Sequence, residues 1–262
     1  MNAPCEPKNK INALSCFLLT LQQFGENLLN IIFPIACHGC GQTDTWLCET
    51  CYKKIKTNKR QKCFVCGNTN LTGNYACGCL ENFHFDGLYI AGDFKDSTLA
   101  RLIKNYKYKF IRDLKIPLSR FLIDFIDIEI IDRNLNCDTT LSKRLADKNL
   151  TIIPVPIHRR RLRWRGFNQS AELAQIIADT YDIKINHDLI RRKFYQPQTK
   201  LDKIQRQKNI HNSFAWLGCK KAPRNVLLID DVVTTGSTIN ECSRVLKENG
   251  TRNIQVLVIA KN

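Results

Sequence analysis

The amino-acid sequence predicts an α/β protein in which a parallel sheet flanked by helices follows a small cysteine-rich module. Three observations support this. Val226-Leu227-Leu228-Ile229-Asp230-Asp231-Val232-Val233-Thr234-Thr235-Gly236-Ser237-Thr238 reads as a buried strand, a small-residue turn and the entry to a helix. From Thr151 onward, apolar strand-like runs alternate with helical patterns, the signature of a parallel sheet. Eight of the 13 cysteines fall between Cys37 and Cys79, mostly in close pairs.

A chain of 262 residues holds one large domain, or one domain and a small module. The pattern divides it into an amphipathic helical lead (1–35), a zinc-binding module (36–84) and the sheet domain (85–262). Lys and Arg number 40 against 24 Asp and Glu, a net charge of +16. That imbalance favours polyanionic partners, namely nucleic acid, phosphate ligands or an anionic membrane surface.

In the lead, Ile11, Leu14, Phe17, Leu18, Leu21, Phe24, Leu28, Leu29 and Ile32 recur at helical spacing. Gln22, Gln23, Glu26, Asn27 and Asn30 interrupt the stretch, making it too polar to span a bilayer. No secretory signal precedes it, because Met1 to Lys10 is polar. A cytoplasmic protein with reduced thiols is expected.

Cys37-x-x-Cys40, Cys48-x-x-Cys51, Cys63-x-x-Cys66 and Cys77-x-Cys79 follow. A Cys-x-x-Cys knuckle aims two thiolates at one metal ion, and two knuckles complete a tetrahedral Zn²⁺ site. Eight thiolates would hold one or two zinc ions, structural because no coordination position stays open. Consecutive and interleaved pairings both fit the spacing, and Cys77-x-Cys79 is the tighter and less secure pair. His38 and His84 lie outside the knuckle spacing and read as non-ligands.

Phe85 to Phe94 has strand character. Leu99, Leu102, Ile103 and Tyr106 mark a helix with Arg101, Lys104, Lys107 and Lys109 expected on its exposed side. Leu118 to Ile126 marks another, and 129–149 reads as a loose polar connection. Thr151 to Pro156 is a short strand stopped by proline. A basic loop then crowds Arg159, Arg160, Arg161, Arg163 and Arg165 around Trp164. Guanidinium forks suit phosphate oxygens, and Trp164 would either stack on a base or pack in the core. Ala171 to Asp179 is helical. After it, 191–209 is polar and basic, in the manner of a mobile lid.

The Thr234 to Thr238 turn entering a helix is a phosphate cradle, since backbone N–H groups, hydroxyls and the helix dipole converge on an anion. Gly236 allows close approach. Asp230 and Asp231 would repel that anion, so their task is hydrogen bonding to sugar hydroxyls or contact with Mg²⁺, direct or through water. The plain alternative is an ordinary strand-to-helix turn with two surface aspartates. Neither the P-loop nor the Rossmann pattern is present.

The stretch resembles the 13-residue phosphoribosyl-pyrophosphate motif of type I phosphoribosyltransferases. With Ile152-Pro-Val-Pro-Ile157, Arg165-Gly-Phe-Asn-Gln169 and the cysteine knuckles, the chain resembles the ComF/ComFC (GntX-like) family, a zinc ribbon ahead of a type I phosphoribosyltransferase-like fold. The resemblance implies ribose hydroxyls on Asp230 and Asp231, and a 5′-phosphate on Val233, Thr234, Thr235, Gly236, Ser237 and Thr238. It implies pyrophosphate or DNA on Arg159, Arg160, Arg161, Arg163 and Arg165. It further implies Mg²⁺ with phosphoribosyl pyrophosphate, and a role in handling incoming single-stranded DNA during natural transformation, beside the DNA-uptake machinery at the inner membrane face. An active phosphoribosyltransferase with an unknown acceptor is the alternative.

Overall fold

The computed structural model describes residues 35–58, 61–70, 78–131, 145, 147–194 and 210–262. The expected lead helix, Cys77 and the lid residues 195–209 lie outside them. The chain divides into two compact units, 1–52 and 53–262. The division falls after Tyr52, inside the stretch 36–84 read as one module. Its physical reason is packing, because Cys63 and Phe64 are buried in the apolar cluster of the sheet domain.

In the first unit the chain turns twice through a cysteine knuckle and ends in α1 (Glu49–Tyr52). Cys37, Cys48 and Cys51 are buried, with Leu47 against them. So small an apolar cluster offers little stability without a metal.

In the second unit a short antiparallel pair, β1 (Gln61–Lys62) and β2 (Thr69–Asn70), brackets the third knuckle. β3 (Gly87–Asp93) leads to α2 (Ser97–Tyr108) and α3 (Lys115–Ile131). The Asp96 carboxylate caps α2, accepting from the Thr98 and Leu99 N–H groups. β4 (Leu150–Pro154) is followed by α4 (Arg159–Arg165), α5 (Gln169–Tyr181) and β5 (Lys184–Ile185). β6 (Leu189–Arg191) and β7 (Phe214–Trp216) form a separate antiparallel pair flanking 195–209. β8 (Asn225–Val233), α6 (Ser237–Glu248) and β9 (Asn253–Lys261) complete the order.

The central sheet runs β3-β9-β8-β4-β5, and every pairing is parallel. The expected α/β architecture is therefore present. Val226 to Ile229 and Ile254 to Ala260 are almost fully buried, as strands covered on both faces must be. Val226 and Leu228 pack with Ile239, Cys242, Val245 and Leu246 of α6, while alternation turns Leu227 and Ile229 to the other face.

Two local expectations are corrected. The five arginines sit on a helix, α4, not a loop. His158 starts it by accepting from the Arg160 N–H, and Gly166 ends it in the left-handed conformation. Lys107 is not on an exposed face, because it follows Leu99 and Ile103 at four-residue intervals and shares their inward row.

From β8 the chain passes through α6 to β9 on one side, and from β4 through α5 to β5 on the other. The switch point thus lies between β4 and β8. Ligands of open parallel sheets bind outside the carboxyl ends of strands at such a point.

Candidate functional site

Two segments leave the sheet at the switch point: α4 after β4, and the turn 234–236 after β8. Parallel pairing holds Pro154 beside Ile229, and the Val155 N–H donates to the Ile229 carbonyl, 2.9 Å. The two loops are therefore neighbours by register.

At the turn, Val233 is buried at the end of β8 and Thr234 is exposed. Gly236 has φ of 74° and stands at the N-cap of α6 with no side-chain oxygen to close the helix end. Thr235 and Ser237 hydroxyls lie 2.8 Å apart, and the Ser237 N–H donates to Thr235 Oγ1. Thr238 is in the first turn of α6. Hydroxyls and first-turn N–H groups thus converge where an anion is favoured.

The carboxylates are held apart in function. Asp231 is buried and paired with Lys107 Nζ at 2.7 Å. Burial works against the Lys107 charge, but Asp231 outweighs it and raises its pKa. Asp230 is half-buried and accepts from Ser170 Oγ and from the Asp231 N–H, both 2.9 Å. Burial first, and then the charge of Asp231, push Asp230 up to about 7. Both carboxylates are hard oxygen donors suited to hydroxyls or to Mg²⁺.

Arg165 Nη1 donates to Gln169 Oε1 at 2.7 Å. Its burial lowers its pKa, and the charge of Asp231 counteracts this. Arg165, Lys107, Asp230 and Asp231 therefore form one electrostatic group. Arg161 is half-buried, while Arg159, Arg160 and Arg163 are exposed. Arg160 lies over the Phe194 ring. Trp164 is 67% exposed, with its ring edge-on to Phe110 at 4.7 Å, which rules out the core-packing alternative. Arg159, Leu162, Phe167, Asn168, Glu172 and Arg191 help line an adjoining groove of about 710 Å³.

The cysteines form two clusters. Cys37, Cys40, Cys48 and Cys51 bring their sulfurs within 4.8 Å of one another, and so do Cys63, Cys66 and Cys79. Both leading knuckles have the same backbone. The Gly41 N–H donates to the Cys37 carbonyl and the Gly67 N–H to the Cys63 carbonyl, each 2.9 Å. Gly41 and Gly67 have φ of 81° and 80°. The Gly39 and Val65 N–H groups donate to the leading sulfur, 3.4 Å in each knuckle. Tetrahedral Zn²⁺ with sulfur at about 2.3 Å separates sulfurs by roughly 3.8 Å. Cys37 and Cys40 sulfurs each stand 3.6 Å from that of Cys48, so the donor set fits zinc. Burial opposes ionisation of Cys37, but backbone donors at Cys48, Cys40 and Gly39 bring it down to about 6, while the neighbouring Cys48 thiol first, and then burial, push Cys51 up. Among the described residues the clusters contain cysteines alone. His38 Nδ1 instead lies 3.2 Å from the Ala36 and Trp46 carbonyl oxygens.

Sequence reasoning missed Lys107, Ser170 and the rings over Gly236. The four-residue row Leu99, Ile103, Lys107 was the available signal for the first. No sequence signal marked the other two.

Residues 165–262 match the family model described as a phosphoribosyl transferase domain. The chain is similar to "Competence protein F" of Haemophilus influenzae, 32% identical over 222 residues, covering 82% of this chain and 90% of that protein. It is similar to "DNA utilization protein YhgH" of Escherichia coli O6:H1, 29% identical with the same coverage of 82% and 90%. "Competence protein ComFC" of Bacillus subtilis is 30% identical over 79% of this chain and 80% of its own length. Among the described residues no helix is long and apolar enough to cross a membrane.

Proposed function

This chain belongs to the ComF family of competence proteins, and we propose that it binds phosphoribosyl pyrophosphate with Mg²⁺ and handles incoming single-stranded DNA in the cytoplasm. One observation supports the ligand assignment above all: a helix N-terminus with glycine at its cap, two carboxylates and Arg165 meet at the switch point of the sheet. In this reading Thr234 to Thr238 take the 5′-phosphate, and Asp230 and Asp231 accept from the ribose hydroxyls. Arg165 faces the pyrophosphate, and its helix neighbours Arg159, Arg160, Arg161 and Arg163 take pyrophosphate or DNA. Mg²⁺, when bound, neutralises pyrophosphate charge. The cysteine clusters hold structural zinc, one or two ions in all. The DNA assignment rests on the +16 charge and on exposed arginines beside an exposed tryptophan, a combination that attracts and stacks single strands. The relatives' names, competence and DNA utilization, agree with it. The uptake machinery at the inner membrane face is the corresponding partner.

Calorimetric titration of phosphoribosyl pyrophosphate with Mg²⁺ tests the ligand. Wild type should bind, and Asp230→Asn should weaken binding without lowering the melting temperature. A wild-type protein that takes up no ligand overturns the assignment. The groove of about 710 Å³ beside Arg159 favours a second reading, phosphoribosyl transfer to an acceptor of nucleobase size. Pyrophosphate release in the presence of candidate acceptors decides it.

A further inference from the structure

The second cysteine cluster is flanked by two rings that reach the turn at Gly236. Cys63 is followed by Phe64, and Cys79 begins a single turn, Cys79–Asn82, followed by Phe83. Both rings land on Gly236. A Cβ placed there would lie 3.1 Å from Phe64 Cε2 and 3.5 Å from Phe83 Cε1. The two rings meet edge to face at 5.1 Å, and Phe85 backs Phe83 at the same 5.1 Å. Hydrogen bonds tie this arrangement to the turn and to the strand ends beside it. Lys261 Nζ donates to the Phe64 carbonyl, 2.8 Å. The Asn262 N–H donates to the Val233 carbonyl, 2.9 Å. The His84 N–H donates to Asn240 Oδ1 in the first turn of α6, 2.7 Å.

The rings arrive from two segments, one on each side of 71–77. The first segment has only β1 and β2, two residues each, and the second only the single turn Cys79–Asn82, so little regular structure fixes either. The sulfurs of Cys63, Cys66 and Cys79 lie within 4.8 Å of one another, so a metal on them would join the segments next to both rings. We propose that the Cys63, Cys66 and Cys79 cluster is a metal-dependent clamp on the phosphate turn, with Phe64 and Phe83 as its positioning residues. It sets the geometry of Gly236, so the affinity of the turn for a phosphate ester depends on metal at a cluster that does not touch the ligand. The affinity claim rests on the phosphoribosyl assignment above, whereas the clamp itself does not.

Two readouts keep these separate. Hydrogen exchange of the amides of 234–240, against those of 253–261, reports the clamp. Calorimetry with phosphoribosyl pyrophosphate and Mg²⁺ reports the ligand. Cys66→Ser with Cys79→Ser removes the metal site, and Phe64→Ala keeps the thiols but removes a ring. Both should accelerate exchange at 234–240 while 253–261 stays protected, and both should weaken ligand binding about tenfold. Phe64→Tyr, which preserves the ring, should restore slow exchange. Zinc content should fall in the cysteine variant and be unchanged in Phe64→Ala. Unchanged exchange at 234–240 in both variants overturns the clamp, whatever the ligand does. Loss of protection over 253–261 as well overturns it too, since the cluster would then serve the whole fold. Accelerated local exchange in a protein that never binds phosphoribosyl pyrophosphate upholds the clamp and removes the ligand assignment.

Discussion

Lys107 changes how the acid pair works. Without it two adjacent carboxylates would share one fate, but Lys107 pairs with Asp231 alone, and Asp230, raised by its burial, is left to titrate. Lys107→Ala strands a buried carboxylate, a loss of about 3 kcal/mol at the lower end for a buried pair and less where solvent enters. Chemical denaturation should show it, and Lys107→Arg should recover most of it. Neutralising Asp231 would likewise strand Lys107, so Asp230→Asn is the cleaner variant. Folding raises Asp230 from its ordinary 3.8 to about 7, so between those values the native state holds a proton that the unfolded chain has released. Asp230 therefore makes stability fall as pH rises from about 4 to about 7. The difference in denaturation midpoint between wild type and Asp230→Asn should shift across that window. Ligand affinity should rise through about pH 7, as the carboxylate becomes able to accept from hydroxyls, and Asn should abolish this inflection. The two aspartates were legible in sequence because they interrupt an apolar run. Their division of labour was not, since Lys107 and Ser170 lie far upstream, Ser170 already 60 residues before Asp230, and reach them only through the fold.

At the scale of elements, local pattern and local chemistry agree for β8, α6 and β9, and these are the parts the sequence describes best. Continuous apolar runs identify fully buried strands, and a Thr-Gly-Ser turn marks the junction. The arginine stretch misleads because charge suggests a solvated loop, yet arginine is a good helix former and His158 and Gly166 supply both caps. Gly236 illustrates an element whose reason is double. Its φ of 74° costs any L-residue about 1–2 kcal/mol, and the Phe64 ring leaves no room for a methyl group without shifting. Gly236→Ala should therefore lower the melting temperature by a few degrees, at about 2–4 °C per kcal/mol for a unit of this size. It should also weaken phosphate binding by more than that loss of stability accounts for. Differential scanning calorimetry alongside ligand titration compares the two.

For the whole molecule, the net charge of +16 and the arrangement at the switch point predict that DNA and phosphoribosyl pyrophosphate interfere with each other. The arginines of α4 divide into two sets. Arg159, Arg160 and Arg163 are exposed, next to an exposed Trp164. Arg165 is bonded to Gln169 and faces the charge of Asp231, which in the proposed reading sets it in the phosphoribosyl site. Replacing the three exposed arginines with alanine should weaken an oligonucleotide far more than phosphoribosyl pyrophosphate. Arg165→Ala should do the reverse. On a single strand, each phosphate left without its arginine should make log affinity less steep against log salt by about 0.7, so the triple variant should be shallower by roughly two units. Fluorescence anisotropy of a labelled oligonucleotide across a salt series, with and without phosphoribosyl pyrophosphate, measures both effects. In the proposed reading both ligands approach one helix of seven residues, so the small ligand should weaken DNA binding in wild type and lose that influence in Arg165→Ala. DNA affinity indifferent to salt and to the exposed arginines would assign the strand to another surface, and leave α4 to the phosphoribosyl ligand alone.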